Sequence, residues 1–308
     1  MNKYFDLVSD INTVNFIHMI KKKETKGMKK IIKLFTIFLL SFGMFGCGNN
    51  TDAETETKVS KKPKSEITFE SETLYDNDYG NFIVQSISEN GDLKVSMENK
   101  TDSTLMYSLD HVSINGLMEN PFWAREVTSG NKANDTISFY SLKEDGIDTI
   151  TYITFTLIVS DSENWNLEPY IKQEFTLYPY GENQVKEFER KSEESDVVLL
   201  NNEQISVIVD HVEDDSTYGY SLFLYLENKT DQNLIYHIDN ASVNGIMVDP
   251  FWAIDIPSGK KAYSEVSWYK QDLQDNEIDT IEYIDMPFVV SNYDTYSILF
   301  EQTLTYKP

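Results

Sequence analysis

The chain reads as an all-β protein of two tandem antiparallel β-sandwiches, and three observations predict this. Residues 98–133 and 227–262 align without a gap at a constant offset of 129 and agree at 20 of 36 positions, where unrelated sequence agrees at about 2. Short stretches of strict alternation recur in both halves, as in 93–97, where Leu93, Val95 and Met97 face one way and Lys94 and Ser96 the other. Turn signals separate the stretches at short intervals, and no stretch carries a convincing helical period. A small barrel is the alternative architecture.

In chain order, strands are expected near 67–69, 82–87 and 93–97. A turn at 99–102 follows, where Asn and Asp side chains bond their own backbone. Asn115-Gly116, repeated as Asn244-Gly245, is a hairpin signal because a type I′ turn needs positive φ at both central residues. Pro121 and Pro250 cannot donate to a ladder and so mark the start or edge of the next strand. Further strands are expected at 137–140 and 149–159, with Phe175 and Leu177 closing the first half. The pattern restarts at Val197 after the charged stretch 181–195, and the second half carries two extra residues between Trp268 and Ile278, expected as a surface loop.

The amino-terminal part has a different character. From Met28, Lys29, Lys30 and Lys33 form a basic segment and residues 34–45 an apolar run of 12, too short to span a bilayer comfortably and matched to a signal-peptide core. Gly46 directly precedes Cys47, the single cysteine of the chain. This resembles the lipobox of bacterial lipoproteins, although Met44 and Phe45 depart from its preferred Leu and small residue. The resemblance implies cleavage before Cys47 and lipidation of its new amino terminus. The expected organisation is an upstream extension 1–27, a signal peptide 28–46, a disordered tether 47–66, a first sandwich 67–180, a linker 181–195 and a second sandwich 196–308.

Charge narrows the partners. The chain carries a formal charge of -25. Residues 1–46 hold eight lysines against three acids, a surplus of +5, so residues 47–308 carry about -30. Such a body repels phosphate backbones, and no nucleic acid is expected as a partner. One cysteine excludes an intramolecular disulfide.

The succession ENKTD, N-G, PFWA, then SG with KA or KKA, present in both halves, resembles an unnamed immunoglobulin-like domain of Gram-positive surface lipoproteins. The resemblance covers about three quarters of the chain and implies two immunoglobulin-like sandwiches anchored outside the membrane, with no assigned activity.

Candidate chemistry is sparse. His111, His211 and His237 stand at no metal-ligand spacing to one another, and no nucleophile elbow, zinc-protease motif or phosphate loop occurs. No catalytic residue, metal or cofactor is therefore expected. Asp76-Asn77-Asp78-Tyr79-Gly80 begins like a calcium loop, but its twelfth position is Ile87, where a bidentate Glu is required. The function expected is non-catalytic binding of an envelope protein or glycan by a membrane-anchored module. A calcium-dependent module and a carboxylate-based hydrolase are the alternatives. The sequons at Asn99 and Asn228 read as turn chemistry, and the Phe122-Trp123 and Phe251-Trp252 pairs as core packing. The binding surface is expected at Tyr220, Phe223 and Tyr225, aromatic where the first copy has Gly91, Lys94 and Ser96. Such a stripe either meets a partner or packs against the first domain or the linker.

If Cys47 is the anchor, a clickable fatty acid fed to cells marks the protein and Cys47→Ala abolishes the label; a label that survives that change refutes lipidation.

Overall fold

The computed structural model describes residues 67–140, 142, 145–164, 166–214 and 219–308. The residues expected as upstream extension, signal peptide and tether, Cys47 among them, lie outside the described residues. Residues 64–308 form one compact unit.

The body is all β with antiparallel sheets, as expected. The first repeat contains β1 (Glu72–Asp76), β2 (Gly80–Ile87), β3 (Leu93–Asn99), β4 (Leu105–Ile114), β5 (Leu117–Met118), β6 (Ala124–Val127), β7 (Lys132–Ile137), β8 (Ile153–Asp161) and β9 (Ile171–Leu177). The second contains β10 (Val197–Asn201), β11 (Ile205–Glu213), β12 (Gly219–Asn228), β13 (Leu234–Ile238), β14 (Ser242–Val243), β15 (Ile246–Met247), β16 (Ala253–Ile256), β17 (Lys261–Tyr269), β18 (Ile284–Asn292) and β19 (Ile298–Tyr306). In the first repeat β1-β2-β3-β7 form one sheet and β4, β5, β6, β8 and β9 belong to another; β10-β11-β12-β17 repeat the first arrangement. Alternation places Leu93, Val95 and Met97 in the core at no more than 1% exposure, and their second-copy counterparts Leu222, Leu224 and Leu226 are fully buried.

The repeated ENKTD stretch explains its own recurrence. Asn99 is fully buried, and its amide donates to the carbonyls of Ser103 at 2.7 Å and Val127 at 2.8 Å while its oxygen accepts from the N–H and hydroxyl of Thr101. Asn228 binds Gln232, Ile256 and Thr230 in the same way. A buried amide with its valences met locks three chain segments together, so these asparagines are structural clamps rather than glycan acceptors.

Three local expectations are corrected. Residues 67–69 are not a strand; Thr68 and Phe69 instead donate to the carbonyl of Pro179. The strand expected at 137–140 lies earlier, at β7, and Tyr140 is 80% exposed. The insertion after Trp268 holds a short helix, α1 (Lys270–Asp275), anchored by buried Leu273.

The two repeats share one sheet. β17 of the second repeat pairs in parallel with β5 of the first at Lys261 and Leu117, giving a nine-stranded sheet in the order β10-β11-β12-β17-β5-β4-β8-β9, with β6 beside β4. The hydrophobic cores reach across the joint: Tyr225 belongs to the core of the first repeat, and Met118 packs against that of the second.

Most of 181–195, expected as a charged linker, is exposed, but Phe188 and Arg190 within it are packed at this joint. The N–H of Phe188 donates to the Asn115 carbonyl at 2.7 Å, and Phe188 is 6% exposed. Arg190 follows with its side chain 7% exposed. Its guanidinium holds Asp196 through a bidentate pair at 2.5 and 2.6 Å, bonds Asp210 as well, and lies 5.4 Å from the Tyr225 ring centre. The hydrogen bonds from Arg190 hold the Asp196 carboxyl below the usual carboxylate range.

Removing one partner of a buried ion pair leaves the others uncompensated. Arg190→Ala is accordingly expected to cost about 3 to 5 kcal/mol in urea unfolding. Arg190→Lys recovers only part of that loss, because an ammonium does not reproduce the planar fork.

Candidate functional site

The stripe expected at Tyr220, Phe223 and Tyr225 is not a continuous exposed surface. β12 begins at Gly219, so Tyr220 lies inside the strand and shares the parity of Leu222, Leu224 and Leu226. It points into the second core at 7% exposure. Tyr225 has the opposite parity, but the first repeat and the linker cover that face: Tyr225 is 6% exposed, with Tyr263 at 5.4 Å and Arg190 beside it. Phe223 stays half-buried and stacks on His211, ring centres 4.2 Å apart. Sequence comparison of the copies located a face that differs between them; the joint between the repeats accounts for the burial of Tyr225.

The Phe-Trp pairs divide in their roles. Trp123 and Trp252 are packed against the cores, their indoles reaching Asp135 at 3.4 Å and Ser264 at 2.9 Å. Phe122 and Phe251 turn outward at 73% and 61% exposure. Each sits at positive φ, 47° and 50°, a conformation uncommon for a bulky residue. Each has its N–H directed at the side chain two residues earlier, Asn120 at 3.0 Å and Asp249 at 3.4 Å. An Asx-type turn before a proline-led aromatic thus presents a ring to solvent twice, against the expectation that both aromatics pack. The Asn/Asp-Pro-Phe spelling was the available signal.

Polar groups collect at the joint on both sides. A shallow cleft of about 310 Å³ contains Tyr152, Glu174, Glu187 and Lys260. Burial lowers the Lys260 ammonium below its ordinary range, and it lies 5.2 Å from the Tyr152 ring centre, while the Tyr152 hydroxyl donates to Glu187 at 2.7 Å. A second cleft, about 430 Å³, includes Arg190, Tyr225, Glu227, Lys229 and Lys261. Lys261 Nζ donates to the Phe188 carbonyl at 2.7 Å.

The acidic turn at Asp76 is occupied from within. Lys100 Nζ lies 2.6 Å from Asp76 and 3.0 Å from the Asn77 carbonyl, and Lys229 holds Asn201 and the Asn202 carbonyl in the second copy. An ammonium therefore sits where a calcium loop would place its cation. Among the described residues no group of three or more His, Cys, Asp or Glu is placed to hold a metal ion. A different acid pair does stand out: burial, with Asp145 alongside, pushes the Glu119 carboxyl up to about 7.

A histidine bridges the repeats as well. His111 occupies a left-handed position, φ 48°, and its counterpart Asn240 does so at 60°; Asn tolerates that conformation readily. His111 Nε2 lies 2.5 Å from Asp255 Oδ2 on β16, and its ring meets Tyr293 edge-on at 5.9 Å. Burial works to lower its pKa, but the hydrogen bond to Asp255 and the charges of Asp110 and Asp255 outweigh burial and nearby Lys172, so the imidazole titrates above its ordinary value.

A histidine pKa raised by folding stabilises the protein below the unfolded value of about 6.5, and that contribution is lost as pH rises through the folded value. Wild type should therefore exceed His111→Asn in melting temperature near pH 5.5, with the advantage shrinking by about pH 8.5. The asparagine preserves the backbone conformation and removes the charge. A difference that does not change with pH refutes the ion pair.

No family model matches the chain. Among curated proteins, glutamate–tRNA ligase 2 of Bartonella henselae is similar at 23% identity over 159 residues, covering 52% of this chain and 30% of that protein. The chain thus spans less than a third of the length of that relative.

Proposed function

We propose that this protein is a lipoprotein anchored through Cys47 on the outer side of the membrane. Its two immunoglobulin-like modules bind an envelope protein or glycan without catalysis. The observation that carries the binding role is the duplicated presentation of Phe122 and Phe251, exposed on strained backbone in both repeats. A ring held in solvent by such a turn is a ready contact for a sugar face or an apolar peptide side chain. The anchoring role rests on the basic segment, apolar run and Gly46-Cys47. The charge of about -30 on residues 47–308 disfavors tRNA as a ligand, so the partial likeness to a tRNA ligase contributes no substrate to this reading.

The test uses residues 64–308 and isolated Gram-positive cell walls in a sedimentation assay. Phe122→Ala with Phe251→Ala should weaken retention at least about tenfold, the loss expected for roughly 1.4 kcal/mol of contact. The melting temperature should stay within a few degrees because both side chains are exposed. Equal retention by the double variant refutes the role of these rings.

A further inference from the structure

The joint inside the molecule is made by two strand edges, and among the described residues a copy of each of those edges has no strand beside it. In the joint, the Lys261 N–H on β17 donates to the Gly116 carbonyl in the turn before β5, at 3.0 Å. At the constant offset, Lys261 corresponds to Lys132 at the start of β7, and Gly116 corresponds to Gly245 before β15. β7 ends the sheet β1-β2-β3-β7, and β15 ends the sheet β15-β14-β18-β13-β16. Both outer edges are therefore open among the described residues.

Side-chain burial follows the same logic. Leu117 is 1% exposed and Met118 packs against the second core, because the neighbouring repeat covers them. Their counterparts Ile246 and Met247 are 40% and 66% exposed. The Asn244-Gly245 turn repeats the geometry of Asn115-Gly116, with φ of 53° and 81° against 52° and 85°. The second repeat thus displays, uncovered, the same hairpin that receives a strand edge in the first.

We propose that the chain associates head to tail with copies of itself, β15 of one molecule receiving the outer edge of β7 of the next and so continuing the internal joint. The occupant follows from that continuity: the β7 edge is the duplicate of the β17 edge, which already fits the β4–β5 hairpin that β14–β15 repeats. The contact uses two different surfaces, so it leaves one of each free and extends into a chain unless the rotation closes a ring. It is weaker than the internal joint, because the first repeat carries Ser96 and Asn134 where the second brings Tyr225 and Tyr263. Nothing here depends on the lipid anchor or on the exposed phenylalanines.

Sedimentation velocity on residues 64–308, which hold both cores, should show oligomers growing as concentration rises from about 10 µM to about 1 mM. Met247→Glu blocks the β15 end. Lys132→Pro blocks the β7 end by removing the N–H at the first residue of an edge strand, where proline is tolerated. Asn134→Glu, on the exposed face of β7, serves as a second block should the proline variant fail to fold. Each blocked protein alone should stay monomeric, and an equimolar mixture of the two kinds should form dimers and nothing larger. Ser96→Tyr with Asn134→Tyr should tighten association of the otherwise unchanged protein by at least about tenfold. The proposal is overturned by a wild type that stays monomeric throughout, by a mixture as monomeric as its components, or by a dimer that persists in both single-end variants.

Discussion

The structure depends on the contact at the Asn115-Gly116 turn, where the Lys261 N–H of β17 meets the Gly116 carbonyl and the Phe188 N–H of the linker meets the Asn115 carbonyl. Two sandwiches joined only by a flexible segment would behave as independent bodies. Here the edge pairing brings the backbones together and side chains from each repeat enter the other's core. Burying Tyr225 and Phe188 excludes water, and exclusion of water makes the Arg190 bridge to Asp196 and Asp210 consequential: a buried guanidinium without its carboxylates would be costly. Phe188 and Arg190 tie the linker to the joint.

Duplication followed by divergence has altered the copies where their environments differ. The clamps Asn99 and Asn228 and the turns Asn115-Gly116 and Asn244-Gly245 are the same in both because each repeat needs them internally. Ser96 and Asn134 remain polar on an open face, while Tyr225 and Tyr263 supply rings to a covered one. The left-handed position is Asn240 in one copy and His111 in the other, and only the histidine bridges to the opposite repeat. Substitution at equivalent sites thus records which face each repeat turns to its neighbour.

The two classes of exposed group at these turns have separate origins. Phe122 and Phe251 are outward in both repeats, so their exposure belongs to the repeat itself. Ile246 and Met247 are outward in the second repeat, whereas their counterpart Leu117 is buried in the first. A duplicated feature argues for a ligand contact made twice, and an unpaired one for a surface where the series continues.

By itself the sequence determined the all-β class, the duplication, the hairpins at Asn115-Gly116 and Asn244-Gly245, and the inward residues of β3, because these follow from side-chain period and local turn chemistry. The candidate site was less legible. Alternation assigned Phe223 and Tyr225 to one face of β12, but periodicity reports parity and not what lies against that face. Tyr220 is expected in the binding stripe just ahead of the strand, but β12 already begins at Gly219 and turns that ring inward. The size of Phe122 predicts a place in the core, while a backbone turn anchored at Asn120 sends it outward. Only the tertiary structure decided which strand edges meet, that Phe188 and Arg190 of the linker are packed, and that His111 faces Asp255, since these contacts join residues far apart in the chain and no local pattern encodes them.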